Sequence, residues 1–120
     1  LTPFTSGGEI DFAALENYVK FLERAGAKAL LCNGPMAEFA SLSLEERRNM
    51  LVFVRQAFSG TVVNHVSACA LADVAQLMAH SATQVGGRTA ADAVVVTPPF
   101  GYHQFSLGAD EGGVEAFLRQ

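Results

Sequence analysis

Three short apolar runs recur along this chain at one spacing, and that spacing limits the fold more than any other feature. Ala29-Leu30-Leu31-Cys32, the β-branched stretch Thr61 to Val66 and Ala93 to Thr97 begin near residues 29, 61 and 93, a repeat of 32. The runs are continuous rather than alternating, as strands buried on both faces of a sheet are. Helical patterns separate them, so the order is strand, helix, strand, helix, strand, helix, strand, which predicts right-handed βαβ units and a parallel sheet. Eight units of this length need about 256 residues, close to the roughly 250 of a (β/α)8, or TIM, barrel. The 120 residues then form one partial domain, about the first half of the barrel with strands 1 to 4. A flavodoxin-like sheet, which would fit five units into this length, is the alternative fold.

The helices have recognisable boundaries. From Asp11, a predicted N-cap, Phe12, Leu15, Val19 and Leu22 form one apolar stripe that Gly26 stops. Ser43 and Glu46 form an S-x-x-E capping box ahead of Leu44, Leu51, Val54 and Phe58, with Ser59-Gly60 as the stop. Leu71, Val74, Met78, Ala82 and Val85 predict a third helix that ends at Gly86-Gly87. The stretch from Gly86 to Ala91 is longer than a helix-to-strand turn requires. Leu1-Thr2-Pro3-Phe4 reads as the end of a strand running into a turn, so further chain is expected upstream.

Half the residues are hydrophobic and the mean hydropathy is +0.25, which suits a packed domain and excludes disorder. The net charge of −4, with eight Lys and Arg residues scattered rather than clustered, argues against nucleic acid and anionic membranes as partners. Small-molecule chemistry is expected instead. Cys32 and Cys69 have neither CxxC nor histidine at ligand spacing, so no metal site and no disulfide framework are signalled, and a reducing cytoplasm fits. No apolar run approaches the roughly 20 residues of a bilayer span, and no signal peptide opens the chain.

A barrel carries its functional groups at the carboxyl ends of its strands. Four places therefore qualify: Thr2-Pro3, Gly34 to Glu38, His65 to Ser67, and Thr97 to Tyr102. The loop Gly34-Pro35-Met36-Ala37-Glu38-Phe39 has short side chains and backbone donors suited to a carboxylate or phosphate. The plainer reading is a tight turn in which Glu38 bonds neighbouring N–H groups. His65 has the chemistry of a general base, against the plainer reading of a satisfied core histidine. Cys32 reads as a small core hydrophobe, and His80 and His103 as surface residues. Patterns for dinucleotides, nucleoside triphosphates and serine hydrolysis are absent, and no cofactor is expected.

Leu1 to Phe4, Gly8 to Asp11, Gly34 to Glu38 and Phe39-Ala40-Ser41-Leu42-Ser43-Leu44-Glu45-Glu46-Arg47 agree in order and spacing with one family. The chain resembles the opening of the dihydrodipicolinate synthase and N-acetylneuraminate lyase family. Asn64-His65-Val66-Ser67 is similar to the third strand of its sialate lyase branch, and Ala91-Asp92-Ala93 through Thr97-Pro98-Pro99-Phe100 to the fourth strand and its aromatic loop. The resemblance implies a TIM barrel lyase, acting as aldolase, synthase or dehydratase on pyruvate or another 2-keto acid. Catalysis would pass through a Schiff base with a lysine, assisted by a tyrosine, both beyond this chain. It also implies a homo-oligomer, a tetramer by family habit.

In that family the loop after the second strand holds the keto-acid carboxylate, so Gly34, Pro35, Met36 and Ala37 are the expected substrate-binding residues. Most members place two hydroxyl residues where this chain has Pro35 and Met36, and a glycine where it has Ala37; Glu38 is kept. Backbone donors of Met36 and Ala37 then remain for the carboxylate. The aromatic loop differs as well, with Pro99 and Phe100 after the Thr-Pro pair and Tyr102 later. The lost hydroxyls also fit a non-catalytic barrel that binds a keto or sugar acid.

Overall fold

A computed structural model of the chain describes residues 1–98. Its elements follow the order α1 (Phe12–Arg24), β1 (Ala29–Cys32), α2 (Leu44–Ala57), β2 (Thr61–His65), α3 (Leu71–Ser81), β3 (Gln84–Val85), β4 (Arg88–Thr89) and β5 (Ala93–Val95). The expected strands at 29, 61 and 93 lie side by side in one parallel sheet with β2 in the middle. Leu31, Val63 and Ala93 share one row, and Cys32, Asn64 and Val94 the next.

Side chains of successive strand residues face opposite sides of a sheet. Cys32 and Val62 enter the core with Leu15 and Val19 of α1 and Met50, Leu51, Val54 and Phe58. Leu51 is fully buried, and shortening it to Ala would cost about 2 to 5 kcal/mol. The opposite face, with Leu31, Val63 and Ala93, is the side a barrel closes around, and Leu31 is 52% exposed there.

Sequence signals account for the helix starts. The Asp11 side chain accepts from the Ala14 N–H, and Ser43 and Glu46 complete the capping box in both directions. Gly60 permits a close approach: a Cβ there would meet the Lys28 carbonyl and the Phe58 ring at 2.6 Å each.

Two expectations are corrected. The third helix stops at Ser81 rather than running to Gly86, because Gln84–Val85 turns back against Arg88–Thr89 as a hairpin. Gly86 and Gly87, at φ 59 and 81, supply the two left-handed residues such a two-residue turn needs, which explains the long segment before β5. The opening Leu1-Thr2-Pro3-Phe4 does not join the described sheet. Phe4 bridges Ile10 antiparallel, the Asp11 N–H donates to the Pro3 carbonyl and the Thr5 N–H to that of Glu9, so the segment closes a hairpin ahead of α1.

Two arginines fasten α2 to the sheet. Near its end, Arg55 donates to the Ala90 and Gly60 carbonyls and pairs with Asp92. Asp92 also accepts from the Val62 N–H, and these two bonds, the backbone one foremost, hold its carboxyl below the ordinary range. Near its start, Arg47 reaches the other end of β2.

Candidate functional site at the carboxyl ends of the strands

β1 and β2 end in residues whose polar side chains point inward rather than to water. Asn33, directly after β1, is fully buried and adopts φ 56, a left-handed conformation that Asn tolerates better than most residues. Its amide donates to the Arg47 carbonyl at 3.0 Å and to Asn64 Oδ1 at 2.8 Å. Asn64 passes the chain on to Ser81 Oγ, and the Ser81 hydroxyl donates to the Leu77 carbonyl. A polar ladder thus crosses from the loop after β1 to α3 beneath the sheet.

The loop itself is a 3-10 turn, Pro35–Ala37, followed by a second, Phe39–Ser41, with Glu38 at φ 57 between them. Pro35 fits the first position of the turn because its absent N–H has no partner to make there. Of the expected substrate-binding residues, Gly34 and Ala37 are buried, whereas Pro35 and Met36 are exposed, Met36 by 77%. The Ala37 N–H, expected as a donor to ligand, donates to the Gly34 carbonyl at 2.9 Å. Glu38 closes the turn through its backbone, its N–H donating to Pro35, and its side chain makes no cap bond. Thr2 Oγ1 donates to the Ala37 carbonyl at 2.7 Å, which brings the first and second of the sequence-predicted places together.

The third and fourth places also meet. His65, at the end of β2, is 1% exposed; its Nδ1 lies 3.0 Å from the Asn33 carbonyl and its Nε2 3.4 Å from Thr97 Oγ1. Ser67 Oγ accepts from the Thr97 N–H and lies 2.8 Å from Thr97 Oγ1. The ring edge-packs on Phe39 at 4.6 Å, and Phe39 lies under the Arg47 guanidinium at 5.2 Å. Arg47 donates to the carbonyls of His65 and Ser67. Burial, foremost, pushes the His65 pKa down, and the Arg47 charge acts the same way, opposed by the bond to Asn33. Burial also lowers the Arg47 pKa and pushes the Cys32 thiol up to about 12, so Cys32 is inert, as a core position implies.

Sequence reasoning missed Arg47, Asn33 and Asn64 as site-building residues. A charged residue early in a helix reads as surface, and nothing local announces that it turns under the strand. The cavity beside these residues, about 220 Å³, is lined by Phe39, Ala40, Leu42, Arg47, Ser67, Ala68 and Cys69 and includes none of the Gly34 to Ala37 positions. Among the described residues no cluster of His, Cys, Asp or Glu is able to hold a metal ion. Pro99, Phe100, Tyr102 and His103 lie outside the described residues.

The sequence model of the dihydrodipicolinate synthetase family matches residues 1–110. The chain belongs to this family. Among its relatives, rat N-acetylneuraminate lyase is 35% identical over 124 residues, covering all of this chain and 36% of its own length. An uncharacterized DapA-like lyase of Pyrococcus horikoshii is 37% identical over 100 residues, 83% of this chain and 33% of that protein. The dihydrodipicolinate synthetase family match extends to solved structures. Dihydrodipicolinate synthase of Aquifex aeolicus has a TM-score of 0.69 at 27% identity, over 80% of this chain and 31% of that one. The 2-keto 3-deoxygluconate aldolase of Picrophilus torridus superposes with a TM-score of 0.81 over 99% of this chain and 40% of that one; at 24% identity it speaks for the fold. The architecture is part of a TIM barrel, and the chain spans about a third of the length of the family relatives it matches.

Proposed function

We propose that this chain is the amino-terminal part of a lyase that acts on pyruvate or another 2-keto acid, with Gly34, Pro35, Met36 and Ala37 at the carboxylate end of its pocket. The observation that carries the reading is the position of this loop. In a chain of this family it stands at the carboxyl end of β1, beside the carboxyl ends of β2 and β5, where barrel enzymes keep their chemistry. A lysine beyond residue 120 would attack the keto carbon, lose water and leave a protonated imine, which accepts the electron pair of the bond broken at the neighbouring carbon. A downstream tyrosine would move the protons. Aldolase, synthase and dehydratase chemistry all share this intermediate. The parent is proposed to be cytoplasmic, in keeping with free thiols at Cys32 and Cys69, and to assemble as a homo-oligomer, a tetramer by family habit.

Borohydride reduction of the full-length protein under saturating pyruvate, followed by mass spectrometry, tests this. A covalent adduct on one lysine is expected, and an unchanged mass would overturn the reading. Pro35 and Met36 favour a second reading, a barrel that binds a keto or sugar acid without turning it over. Ligand binding without an adduct would establish that one.

A further inference from the structure

We infer that His65 and Thr2 are positioning residues that clamp the two ends of the Gly34 to Ala37 loop and fix the backbone that meets the ligand carboxylate. The inference deepens the keto-acid reading and rests on it for the ligand, though not for the clamp itself.

At the entry of the loop, His65 Nδ1 reaches the Asn33 carbonyl at 3.0 Å. At its exit, Thr2 Oγ1 reaches the Ala37 carbonyl at 2.7 Å. Both side chains are buried, at 1% and 6% exposure, and come from segments distant in sequence, so each bond ties the loop to a different part of the fold. A carbonyl only accepts, which assigns the proton to Nδ1 and leaves Nε2 facing Thr97 Oγ1. The ring packs edge-on against Phe39, and Arg47 fixes the backbone that carries it by donating to the His65 main-chain carbonyl.

The loop has reason to need holding. Two residues with a Cβ, Asn33 and Glu38, bracket it in the left-handed region, a conformation the chain leaves unless its surroundings impose it. Recognition is also unusually dependent on backbone placement here. Pro35 has no N–H, Met36 has no hydroxyl, and the Ala37 N–H is engaged inside the turn. A flexible hydroxyl side chain can follow a ligand when the loop shifts; a backbone dipole cannot. Losing either clamp should therefore weaken binding more than it slows the chemical step.

The test uses full-length protein with Thr2→Val, His65→Leu and His65→Asn. Asn places an amide N–H near the Nδ1 position and so retains the bond to Asn33, whereas Leu does not. Hydrogen–deuterium exchange over residues 34–38 reads the clamp without any ligand. Exchange should rise in Thr2→Val and His65→Leu and stay near wild type in His65→Asn. In parallel, the pyruvate concentration giving half-maximal borohydride trapping should rise about tenfold in the first two, the size of one lost hydrogen bond, with the trapping rate at saturation changed far less. Wild-type exchange in Thr2→Val and His65→Leu, or equal damage from Asn and Leu, overturns the clamp. Should His65→Leu fail to fold, Thr2→Val decides by the same two readouts. A wild type that traps no pyruvate, while the loop exchange responds as stated, overturns the lyase reading and leaves the clamp standing.

Discussion

His65 Nδ1 lies 3.0 Å from the carbonyl oxygen of Asn33, so a ring buried at the end of one strand holds the first residue after its neighbour. Protonating this ring adds a charge where burial and Arg47 already oppose one. The folded-state pKa is therefore below the ordinary 6.5, and the unfolded chain binds the proton first as pH falls. Stability is expected to be full above about pH 6.5 and to be lost progressively below it, down to the folded pKa. Denaturant unfolding of full-length protein and of His65→Asn at a series of pH values checks this. The wild-type slope in that window should flatten in the variant, and parallel profiles would refute it.

Arg47 satisfies two strand-end carbonyls at once and covers Phe39. Lysine is a point donor on a flexible stem and cannot match that fork. Arg47→Lys is expected to cost about 2 to 3 kcal/mol in denaturant unfolding, as for lost bonds to a charged donor. Arg48, which meets Gln76 at the surface, is the control: Arg48→Lys should stay within about 0.5 kcal/mol of wild type.

Pro35 and Met36 face solvent, so both positions accept a change without repacking. Converting both to Thr in the full-length protein is expected to tighten pyruvate binding, by about 1.5 to 3 kcal/mol for each bond made to the carboxylate. Titration calorimetry checks it. Unchanged or weaker binding would mean that the loop is shaped for a different ligand.

Among the described residues β1 and β5 each have one sheet neighbour, and Leu31, Val94 and Val95 are exposed beside those edges. Open edges next to apolar side chains pair with other copies. The 120-residue chain expressed alone is expected to be catalytically inactive and to self-associate, either as aggregate or as two halves forming a pseudo-barrel. Size-exclusion chromatography with light scattering checks this, and a sharp monomer peak with a cooperative melt would refute it.

The strands and helix starts were legible because their signals are local: continuous apolar runs, Asp11, and the Ser43–Glu46 box. The end of α3 was not. Ala82 and Val85 continue its apolar stripe, and only the pairing of Gln84–Val85 with Arg88–Thr89 shows that the chain has already turned. A Gly-Gly pair such as Gly86-Gly87 marks a helix stop and a two-residue hairpin turn equally well, and nothing local separates the two. At the site, topology alone pointed to four places, and residues from them meet in pairs: Thr2 with Ala37, and His65 and Ser67 with Thr97. It did not name Arg47 or Asn64, whose roles depend on partners 14 to 31 residues away, nor the fact that His65 serves the loop of another strand.

Arg47 and Arg55 stand roughly 12 Å apart along the axis of α2, and each grips backbone at a different end of β2: His65 and Ser67 at one, Gly60 at the other. The helix is thus a gauge laid along the strand, marked at two points. Adding a residue within the strand, between Gly60 and His65, would change the reading at one mark and not at the other, and no sliding of the strand would restore both. An insertion beyond Ser67 leaves both marks untouched. Tolerance for length change is therefore uneven: the strand between the two marks is fixed in length, while the loop that leaves it can be lengthened to alter what the pocket admits.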